Sequence, residues 1–530
     1  MLSYRYCSVF ITGFLLLIKL CSAQQISINR ISRDTGIHTD RRPVSVGFYD
    51  KTVNKTFLSW MGPYSCPVVM SYDHSTFTWS DAKIAGISPF ADSHNYPAMI
   101  QAKNGKLILF YGCHNSVMRI TTSPAPASIE GTWNDRDLTE AQGATYPAPV
   151  ITTDGTIYCF YRITMKNAHP YSDYPTDYRP LAFVKSSDHG ETWSPAFIIL
   201  DNYPRPDNLC EVYTGKVSYQ PASDGISERI HLAWTVSGGG PSGHDHGAYR
   251  RNVYYAFMDL SNEHLYDIKG NDLGMDINDA EAENNCKIVD TGSPPQGENV
   301  GHQVSVHFCD NGDPVVIYRH EGFKCAYRKD MEWGISAIYT RENDPRDIEK
   351  IGSNAFRTFR TAGETIYVFK SLNGGKSWEL ENKIKAPARI ARCYVIDNYR
   401  PELKYLLTEM KDDGKNVETG TRDVYIGSIP ASTDLQQEAP PKATVYELAQ
   451  NYPNPFNAMT TIPYTIAERG FVELVISDLL GREITTLVAQ IKDRGSHTAR
   501  FDAKQLVSGV YFYTIRSGKF SATKKFLLIR

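Results

Sequence analysis

The sequence lacks long hydrophobic runs, an excess of charge and any convincing long amphipathic helix. Beyond the N-terminus no apolar run approaches the ~20 residues that a membrane helix needs. The 530 residues carry a net charge of -3, which gives no electrostatic case for binding nucleic acid or an acidic membrane surface. A composition of 41% hydrophobic and 22% charged residues is that of a soluble globular protein, and the length exceeds one ordinary domain. An anionic ligand would therefore need a local cluster of basic residues.

Residues 1–23 are predicted to be a signal peptide. Arg5 supplies positive charge, "VFITGFLLLI" at residues 9–18 is an apolar core, and "CSAQQ" offers a small-residue cleavage site after Ala23. A lipoprotein anchor on Cys21 is the weaker interpretation, because the usual small residue before the cysteine is missing. We expect the mature protein to leave the cytoplasm.

The cysteines form no tight framework. Cys7 and Cys21 are removed with the signal peptide, and the other eight of the ten are scattered over a long chain. Export permits disulfides, yet this spacing does not demand them. Several cysteines lie in strand patterns, such as Cys159 in "TIYCFYR", where a buried free thiol is expected.

Residues 27–426 are predicted to be an all-β domain of short strands separated by Asn, Asp and Gly turns. Two stretches, "SSDHGETW" (186–193) and "SLNGGKSW" (371–378), share one pattern, and "SYDHSTFTW" (71–79) is a degenerate copy without the glycine. In this pattern Asp or Asn bonds the amides of a tight turn, Gly takes positive φ and Trp packs between sheets. Such repeats, called Asp boxes, are typical of β-propellers. At ~50 to 60 residues per blade we predict seven blades, with six or eight left open.

The C-terminal part is predicted to be a separate module. "PASTDLQQEAPPKATV" (430–445) has the composition of an extended linker, and alternating strand patterns over 446–530 predict a small β-sandwich. Its "NYPNPFN", "DLLGRE", "SGVYFY" and Lys-Lys-Phe segments closely resemble the type A sorting domain of the type IX secretion system. The resemblance implies export through the periplasm and outer membrane by that machinery, followed by release or attachment to the cell surface.

Two histidines bracket a predicted hairpin in "SHNYPAMIQAKNGKLILFYGCHN" (93–115). Strands over 98–101 and 106–112 flank a Lys-Asn-Gly turn, so His94 and His114 are expected at the same end of a sheet. This stretch, with "TYPAPVITTDGTIYCFYR" and "YRPLAFVKSSDHGETW", resembles the propeller lyases that act on ulvan, polysaccharide lyase families 24 and 25, and is nearer family 25. The resemblance covers most of residues 40–426. It implies a seven-bladed enzyme that cleaves an acidic, sulfated algal polysaccharide by β-elimination.

That chemistry needs three kinds of group. A cation or strong donor must neutralise the uronate carboxylate, a base must take the proton on carbon 5, and an acid must protonate the departing oxygen. By resemblance we assign His94 and Tyr161 as the base and acid pair, in either order, and Arg179 as the neutraliser. His114 and Tyr213 would support the substrate. Basic residues such as Arg250 and Arg251 are expected to recognise sulfate, although the sequence does not fix their direction.

Strand alternation leaves this assignment sensitive to a shift of one residue. In "YCFYR", Tyr158 and Arg162 lie on the side opposite Tyr161, so these two residues are the alternatives. The ordinary interpretations also stand beside the catalytic ones. A histidine near a turn is usually structural, tyrosines are frequent in strands, and an arginine can serve as a surface ion-pair partner.

A second group of histidines and cysteines raises the possibility of a structural metal. His244, Cys309, His320 and Cys325 are zinc-ligand types, and the resembling lyases contain structural metal, so zinc or calcium is the cofactor considered; no organic cofactor is expected. The spacing fits no compact finger pattern. A metal-free cluster, with residues 238–247 as a substrate-facing loop, is the alternative.

Two other functions are weighed against the lyase. The Asp boxes and the size also fit a sialidase-like glycoside hydrolase, but no convincing Tyr/Glu pair can be placed. A non-catalytic glycan-binding propeller would need only an aromatic-rich channel. We expect an exported lyase, acting as a monomer, with ulvan as its substrate.

Overall fold

The computed structural model describes residues 28–37, 44–165, 178–201, 211–223, 225–237, 250–292, 300–301, 303–340, 347–409, 421–428, 446–451, 454–492, 495–518 and 520–529. The chain divides into two compact units, Met1–Ala431 and Ser432–Arg530, and this division falls within the segment predicted as a linker. The predicted signal peptide and the predicted linker lie outside the described residues.

Unit 1 is built of β-strands, in agreement with the predicted all-β domain. Its strands, in chain order, are β1 (Ile28–Ile37), β2 (Gly47–Asp50), β3 (Lys55–Met61), β4 (Pro67–Asp73), β5 (Thr78–Trp79), β6 (Lys83–Ile84), β7 (Ala98–Gln101), β8 (Leu107–Tyr111), β9 (His114–Ser116), β10 (Met118–Thr122), β11 (Asn134–Leu138), β12 (Ala144–Ile151), β13 (Ile157–Ile163), β14 (Leu181–Ser186), β15 (Phe197–Leu200), β16 (Glu211–Thr214), β17 (Ser218–Gln220), β18 (Arg229–Ser237), β19 (Arg251–Asp259), β20 (His264–Tyr266), β21 (Asp272–Gly274) and β22 (Lys287–Val289). The remaining strands of the unit are β23 (Ser305–Phe308), β24 (Pro314–Arg319), β25 (Phe323–Lys329), β26 (Glu332–Tyr339), β27 (Ile348–Gly352), β28 (Ala355–Ala362), β29 (Thr365–Ser371), β30 (Glu379–Lys385), β31 (Ile390–Arg400), β32 (Leu403–Glu409) and β33 (Thr421–Gly427). Three short helical turns accompany them: Pro63–Ser65, Asp279–Glu281 and Ala282–Cys286. No helix among the described residues is long and apolar enough to cross a membrane.

The strands form a succession of antiparallel groups. The groups are β2 to β6; β7, β8, β10 and β11; β9 with β12 to β15; β16 to β22; β23 to β26; β27 to β30; and β31 to β33 with β1. The first and last groups share one sheet through a single parallel pair, Phe48 with Asp397. Because β1 pairs with β33, the start of the unit completes the last group. The blade count of seven stays a prediction, which this grouping supports.

Consecutive groups pack against one another through apolar faces, and the series closes on itself. Leu109 of β8 packs with Phe57 of β3, and Phe110 of the same strand faces the next group. At the other end, Trp60 of the first group packs with Tyr394 of the last. Because each face is buried by a neighbour and the last group returns to the first, the strands build the predicted β-propeller.

The two Asp-box copies adopt the same turn. In the first, Thr192 N donates to Asp188 at 2.9 Å and the Trp193 indole donates to the Gly190 carbonyl at 3.1 Å. In the second, Ser377 N donates to Asn373 at 3.0 Å, and the tryptophan again donates to the glycine at the equivalent position. Gly190 has φ +88, a conformation that favours glycine. The predicted turn mechanism is therefore confirmed for both copies.

Unit 2 is a two-sheet sandwich. Its strands are β34 (Glu447–Leu448), β35 (Met459–Ile466), β36 (Gly470–Ser477), β37 (Glu483–Lys492), β38 (Gly495–Asp502), β39 (Gly509–Ser517) and β40 (Phe520–Leu528). One sheet has the order β34-β35-β38 and the other β37-β36-β39-β40. Side chains such as Ile462, Leu474 and Tyr513 bury the apolar interior between them, as the alternating pattern predicts.

Candidate functional site

The predicted histidine hairpin has the expected form. Strands β7 and β8 pair antiparallel, and Gly105 in the turn has φ +82. Three successive strand groups carry the predicted site residues: His94 before β7, His114 at the start of β9, Tyr161 in β13, Arg179 before β14, Tyr213 in β16 and Arg250 before β19.

Asp92 joins the two predicted histidines into one cluster. The Nδ1 atoms of His94 and His114 lie 2.5 Å and 2.8 Å from different oxygens of the Asp92 carboxylate. The two imidazole rings stack with their centroids 4.0 Å apart. Because an ionised carboxylate can only accept, each Nδ1 carries a proton and each neutral ring keeps Nε2 as its acceptor. We call these three residues the Asp92 cluster.

The charge state of Asp92 supports this tautomer. Burial alone would raise the pKa of its carboxyl, but hydrogen bonds from His114 and His94 hold that pKa well below its usual range. Asp92 is therefore ionised near neutral pH. The backbone N–H of His94 also donates to this carboxylate, at 2.8 Å, which fixes the turn before β7.

Two tyrosines and an arginine lie next to the Asp92 cluster. The Tyr146 ring centroid is 5.5 Å from that of His94 and 6.1 Å from that of Tyr213. The Arg162 guanidinium lies 5.0 Å from the centroids of both tyrosine rings, so one cation faces two aromatic side chains. Strand β9 pairs with β12 through His114 and Thr145, which brings Tyr146 to the histidines.

Arg162 is fully buried, and two of its guanidinium nitrogens lack an acceptor among the described residues. Its Nη2 donates to Asn115 Oδ1 at 3.3 Å, whereas Nε and Nη1 find no acceptor within the described part of the chain. Only 1% of the residue is exposed. Buried donors without a partner are costly, so this guanidinium is electrostatically prepared for an anion.

Arg179, the predicted neutraliser, lies close by but already faces a carboxylate. Its Nη1 forms an ion pair with Glu211, and Glu211 also accepts from the Tyr213 hydroxyl at 3.0 Å. The Arg250 guanidinium packs over the Tyr213 ring at 4.5 Å. Burial raises the pKa of Tyr213, and the positive charges of Arg162 and Arg250 oppose that rise. Tyr213 and the three arginines thus form one connected polar group.

Tyr161 does not join this group, and its predicted placement is corrected. Its side chain is fully buried, and it packs with Cys159 and Met118 in the apolar layer between two strand groups. Its hydroxyl has no hydrogen-bond partner among the described residues, and burial raises its pKa. Alternation along β13 sends Arg162, the neighbouring residue, to the opposite side.

The other alternative from the same strand also lies elsewhere. The Tyr158 hydroxyl donates to Glu263 at 2.6 Å, at the far end of β13 from Arg162. Of the two named alternatives, only Arg162 reaches the site.

The predicted metal ligands are not brought together. His244 lies outside the described residues. Cys309 and His320 lie near opposite ends of β24, a strand of six residues that spans roughly 20 Å. Cys309 and Cys325 pack in one apolar cluster, where burial raises the pKa values of both thiols to about 12. Because Cys309 and His320 are this far apart, the four named residues cannot share one ion, and this ligand set is corrected; a structural zinc or calcium ion stays a prediction.

Within the described chain, three potential ligand side chains come together only in the Asp92 cluster, where the ligand atoms lie within 4.8 Å of one another. The separations of 2.5 Å and 2.8 Å between nitrogen and oxygen are hydrogen-bond distances. We therefore interpret the cluster as a carboxylate orienting two imidazoles.

The cysteines agree with the expectation of free thiols. All seven that the structure describes are buried and unpaired with one another. Cys210 lies outside the described residues.

Comparisons with known proteins place this chain in a family. Residues 55–379 match the family described as BNR repeat-containing family member, and residues 450–529 match a secretion system C-terminal sorting domain. An ulvan lyase from Alteromonas sp. (strain LOR) is 25% identical over 70% of this chain and 82% of its own length. An ulvan lyase from Nonlabens ulvanivorans is 24% identical over 70% of this chain and 83% of its own.

Solved structures show the same propeller. A polysaccharide lyase PL25 ulvan lyase, solved bound to -[GlcA(1-4)Rha3S]-, superposes with a TM-score of 0.60 at 17% identity and covers 76% of this chain and 96% of its own. The polysaccharide lyase Uly1 superposes with a TM-score of 0.53 at 13% identity over 76% of this chain. The family match covers more than half of the sequence, and the chain belongs to the BNR repeat-containing family.

Proposed function

We propose that this protein is an exported polysaccharide lyase that cleaves ulvan by β-elimination and leaves 4,5-unsaturated uronate ends. The observation that carries the proposal is the Asp92 cluster next to Tyr146 and Arg162, on a propeller that matches ulvan lyases in both sequence and structure.

The Asp92 cluster supplies the base. Because Nδ1 of His94 donates to Asp92, the proposed base is Nε2 of the same ring, which takes the proton from carbon 5 of the uronate. The electron pair of that C–H bond then forms the C4–C5 double bond as the bond between carbon 4 and the glycosidic oxygen breaks. The charge of Asp92 stabilises the imidazolium that results. His114 is oriented by the same carboxylate and presents a second imidazole nitrogen that can hydrogen-bond the substrate.

Tyr146 is the proposed acid in place of Tyr161. Its ring lies beside His94, and a phenol can donate a proton to a departing oxygen. Protonation of the departing oxygen by this phenol completes the elimination without consuming water. Tyr213 lies behind it and positions Tyr146 together with Arg162.

Arg162 and Arg179 together form the positive side of the site. Neutralising the uronate carboxylate lowers the barrier to proton removal, because negative charge develops beside it. Arg162 has two nitrogens, Nε and Nη1, without an acceptor among the described residues, whereas Arg179 forms an ion pair with Glu211. We therefore propose Arg162 as the principal neutraliser, with Arg179 and Glu211 setting its surroundings.

Unit 2 supports export through the type IX secretion system. The sorting-domain match covers residues 450–529, nearly the whole of the described sandwich. The protein would then act outside the cell or on its surface, where a polymer too large to cross the envelope is accessible.

The experiment incubates the purified chain with ulvan and, in parallel, with other uronate polysaccharides. Ultraviolet absorbance follows the conjugated enoate, and mass analysis identifies the ends of the products. Absorbance that grows on ulvan is the expected result. New reducing ends without absorbance would instead identify a hydrolase. Binding of the polymer with neither absorbance nor new reducing ends would identify a glycan-binding propeller.

A further inference from the structure

The turn between β3 and β4, residues 62–66, has a strained backbone. Tyr64 has φ 56 and the next residue, Ser65, has φ 59, so two successive residues other than glycine adopt the left-handed conformation. Each costs free energy, and such strain persists only where surrounding contacts enforce it. We call residues 62–66 the Tyr64 turn.

The contacts that enforce this strain come from the Asp92 cluster. Ser65 is fully buried, and its hydroxyl accepts from Asp92 N at 2.9 Å and donates to the Asp92 carbonyl at 3.0 Å. Within the turn, Gly62 N donates to the Cys66 carbonyl at 2.8 Å. The residue whose carboxylate orients both histidines is thus held by the Tyr64 turn through its backbone.

This arrangement leaves an aromatic ring in solvent beside the site. Tyr64 is 66% exposed, and no hydrogen bond or ring contact engages its phenol within the described part of the chain. It directly precedes Ser65, so its Cα lies about 3.8 Å from that of the residue that touches Asp92. Phe90, two residues before Asp92, is also 37% exposed. Two exposed aromatic residues therefore lie near Asp92 along the backbone, one beside its partner Ser65 and one two residues before it.

We propose that Tyr64 is a stacking platform for a pyranose ring of the polysaccharide, next to the unit that is cleaved. The C–H face of a pyranose is apolar and packs on an aromatic ring, while the phenol can bond a hydroxyl or sulfate at its edge. The hydrogen bonds between Ser65 and Asp92 fix the backbone that carries the ring, so the entropy lost on binding is confined to the Tyr64 side chain. The identity of the polymer rests on the proposed function, whereas the platform itself requires only that the protein bind the glycan.

The test measures binding rather than turnover. The full-length chain with His94→Ala, which prevents cleavage, is titrated with ulvan oligosaccharides by calorimetry, alone and combined with Tyr64→Ala, Tyr64→Phe or Phe77→Ala. Phe77 is the matched control, because it is also an exposed aromatic residue, at 60%, with φ 59, at the opposite end of β4. Thermal unfolding establishes that each variant is folded.

Tyr64→Ala is expected to weaken binding about 5- to 30-fold, since an aromatic contact is lost, with Tyr64→Phe and Phe77→Ala close to the parent protein. Equal binding by Tyr64→Ala, or an equal loss with Phe77→Ala, would overturn the platform. Binding that depends on Tyr64, together with no enoate formed from ulvan by the protein with His94 intact, would uphold the platform and overturn the lyase. Absence of any ulvan binding by the parent protein would overturn both.

Discussion

A single carboxylate, Asp92, organises the candidate site. Its carboxylate accepts from the imidazoles of both histidines and from the backbone N–H of His94. Its backbone carbonyl accepts from the Ser65 hydroxyl, so this one residue connects the proposed base to two turns. Sequence analysis predicted that His94 and His114 would meet, because a short hairpin fixes the separation of its ends. It did not identify Asp92, since an aspartate in a turn is common and usually serves the turn itself.

Asp92→Asn is expected to lower kcat on ulvan by about 10²- to 10⁴-fold, with little change in KM. An amide oxygen can accept from one histidine only, and the NH₂ group would favour the wrong tautomer of the other. The measurement is the rate of enoate formation under saturating substrate. Asp81→Asn, at an exposed position, is the control and should match the wild type. Retention of more than half of kcat by Asp92→Asn would remove the cluster from the mechanism.

The two arginines are separable by conservative substitution. Arg162→Lys keeps a charge but loses the planar set of donors, so we expect kcat/KM on ulvan to fall about 100-fold. For Arg179→Lys we expect kcat/KM on ulvan to fall by only about tenfold, because Glu211 can still pair with the ammonium group. The comparison uses initial rates and a thermal melt of each variant. The reverse order of effects would return the role of neutraliser to Arg179.

At the scale of the element, strand alternation decided which side chains reach the site. Strand β13 is buried on both faces over six of its seven residues, so its sequence shows no polar and apolar alternation from which to choose a side. The sequence therefore cannot tell whether Tyr161 or Arg162 faces the site, because only tertiary packing decides which side of β13 does so. The Asp-box turns were predictable in detail, because their hydrogen bonds are local.

The first Asp box gives a prediction about acid stability. Hydrogen bonds from Thr192 lower the pKa of Asp188 to about 2, below the unfolded value of about 3.9. A depressed folded-state pKa stabilises the fold above pH ~4, and this contribution is lost as the pH falls from ~4 toward ~2. Asp188→Asn should therefore lose less thermal stability than the wild type between pH 5 and pH 3.

The expected difference in the change of Tm is small, about 1–2 °C, because the carboxylate is largely solvated. Asn373→Asp introduces a carboxylate at the equivalent position of the second box. This variant should lose more thermal stability than the wild type between pH 5 and pH 3, the opposite of Asp188→Asn. Identical pH profiles for wild type and Asp188→Asn would show that this carboxylate does not contribute.

For the whole molecule, the order of strand groups and the division into two units followed from local patterns. Long-range arrangement did not. The predicted set of metal ligands was wrong because it required side chains from opposite ends of β24, and sequence spacing does not report which ends of separate strands meet. Closure of the propeller by β1 and β33 likewise depends on residues almost 400 positions apart.

The two units are expected to have separable roles. Deleting residues 446–530 should abolish export while the purified propeller keeps its kcat on ulvan, because all of the proposed catalytic residues lie in unit 1. The measurements are the amount of protein in the culture medium and the specific activity of the truncated chain. A truncated propeller that is folded, by circular dichroism and thermal melting, but inactive would contradict this division.

The central claim is elimination at a uronate, and one ratio tests it most directly. We would measure, on ulvan, the moles of conjugated enoate formed per mole of new reducing ends during digestion by the full-length protein. The proposed mechanism predicts a ratio of one, because every break in the chain creates one double bond. Reducing ends that accumulate with no enoate would contradict the lyase mechanism.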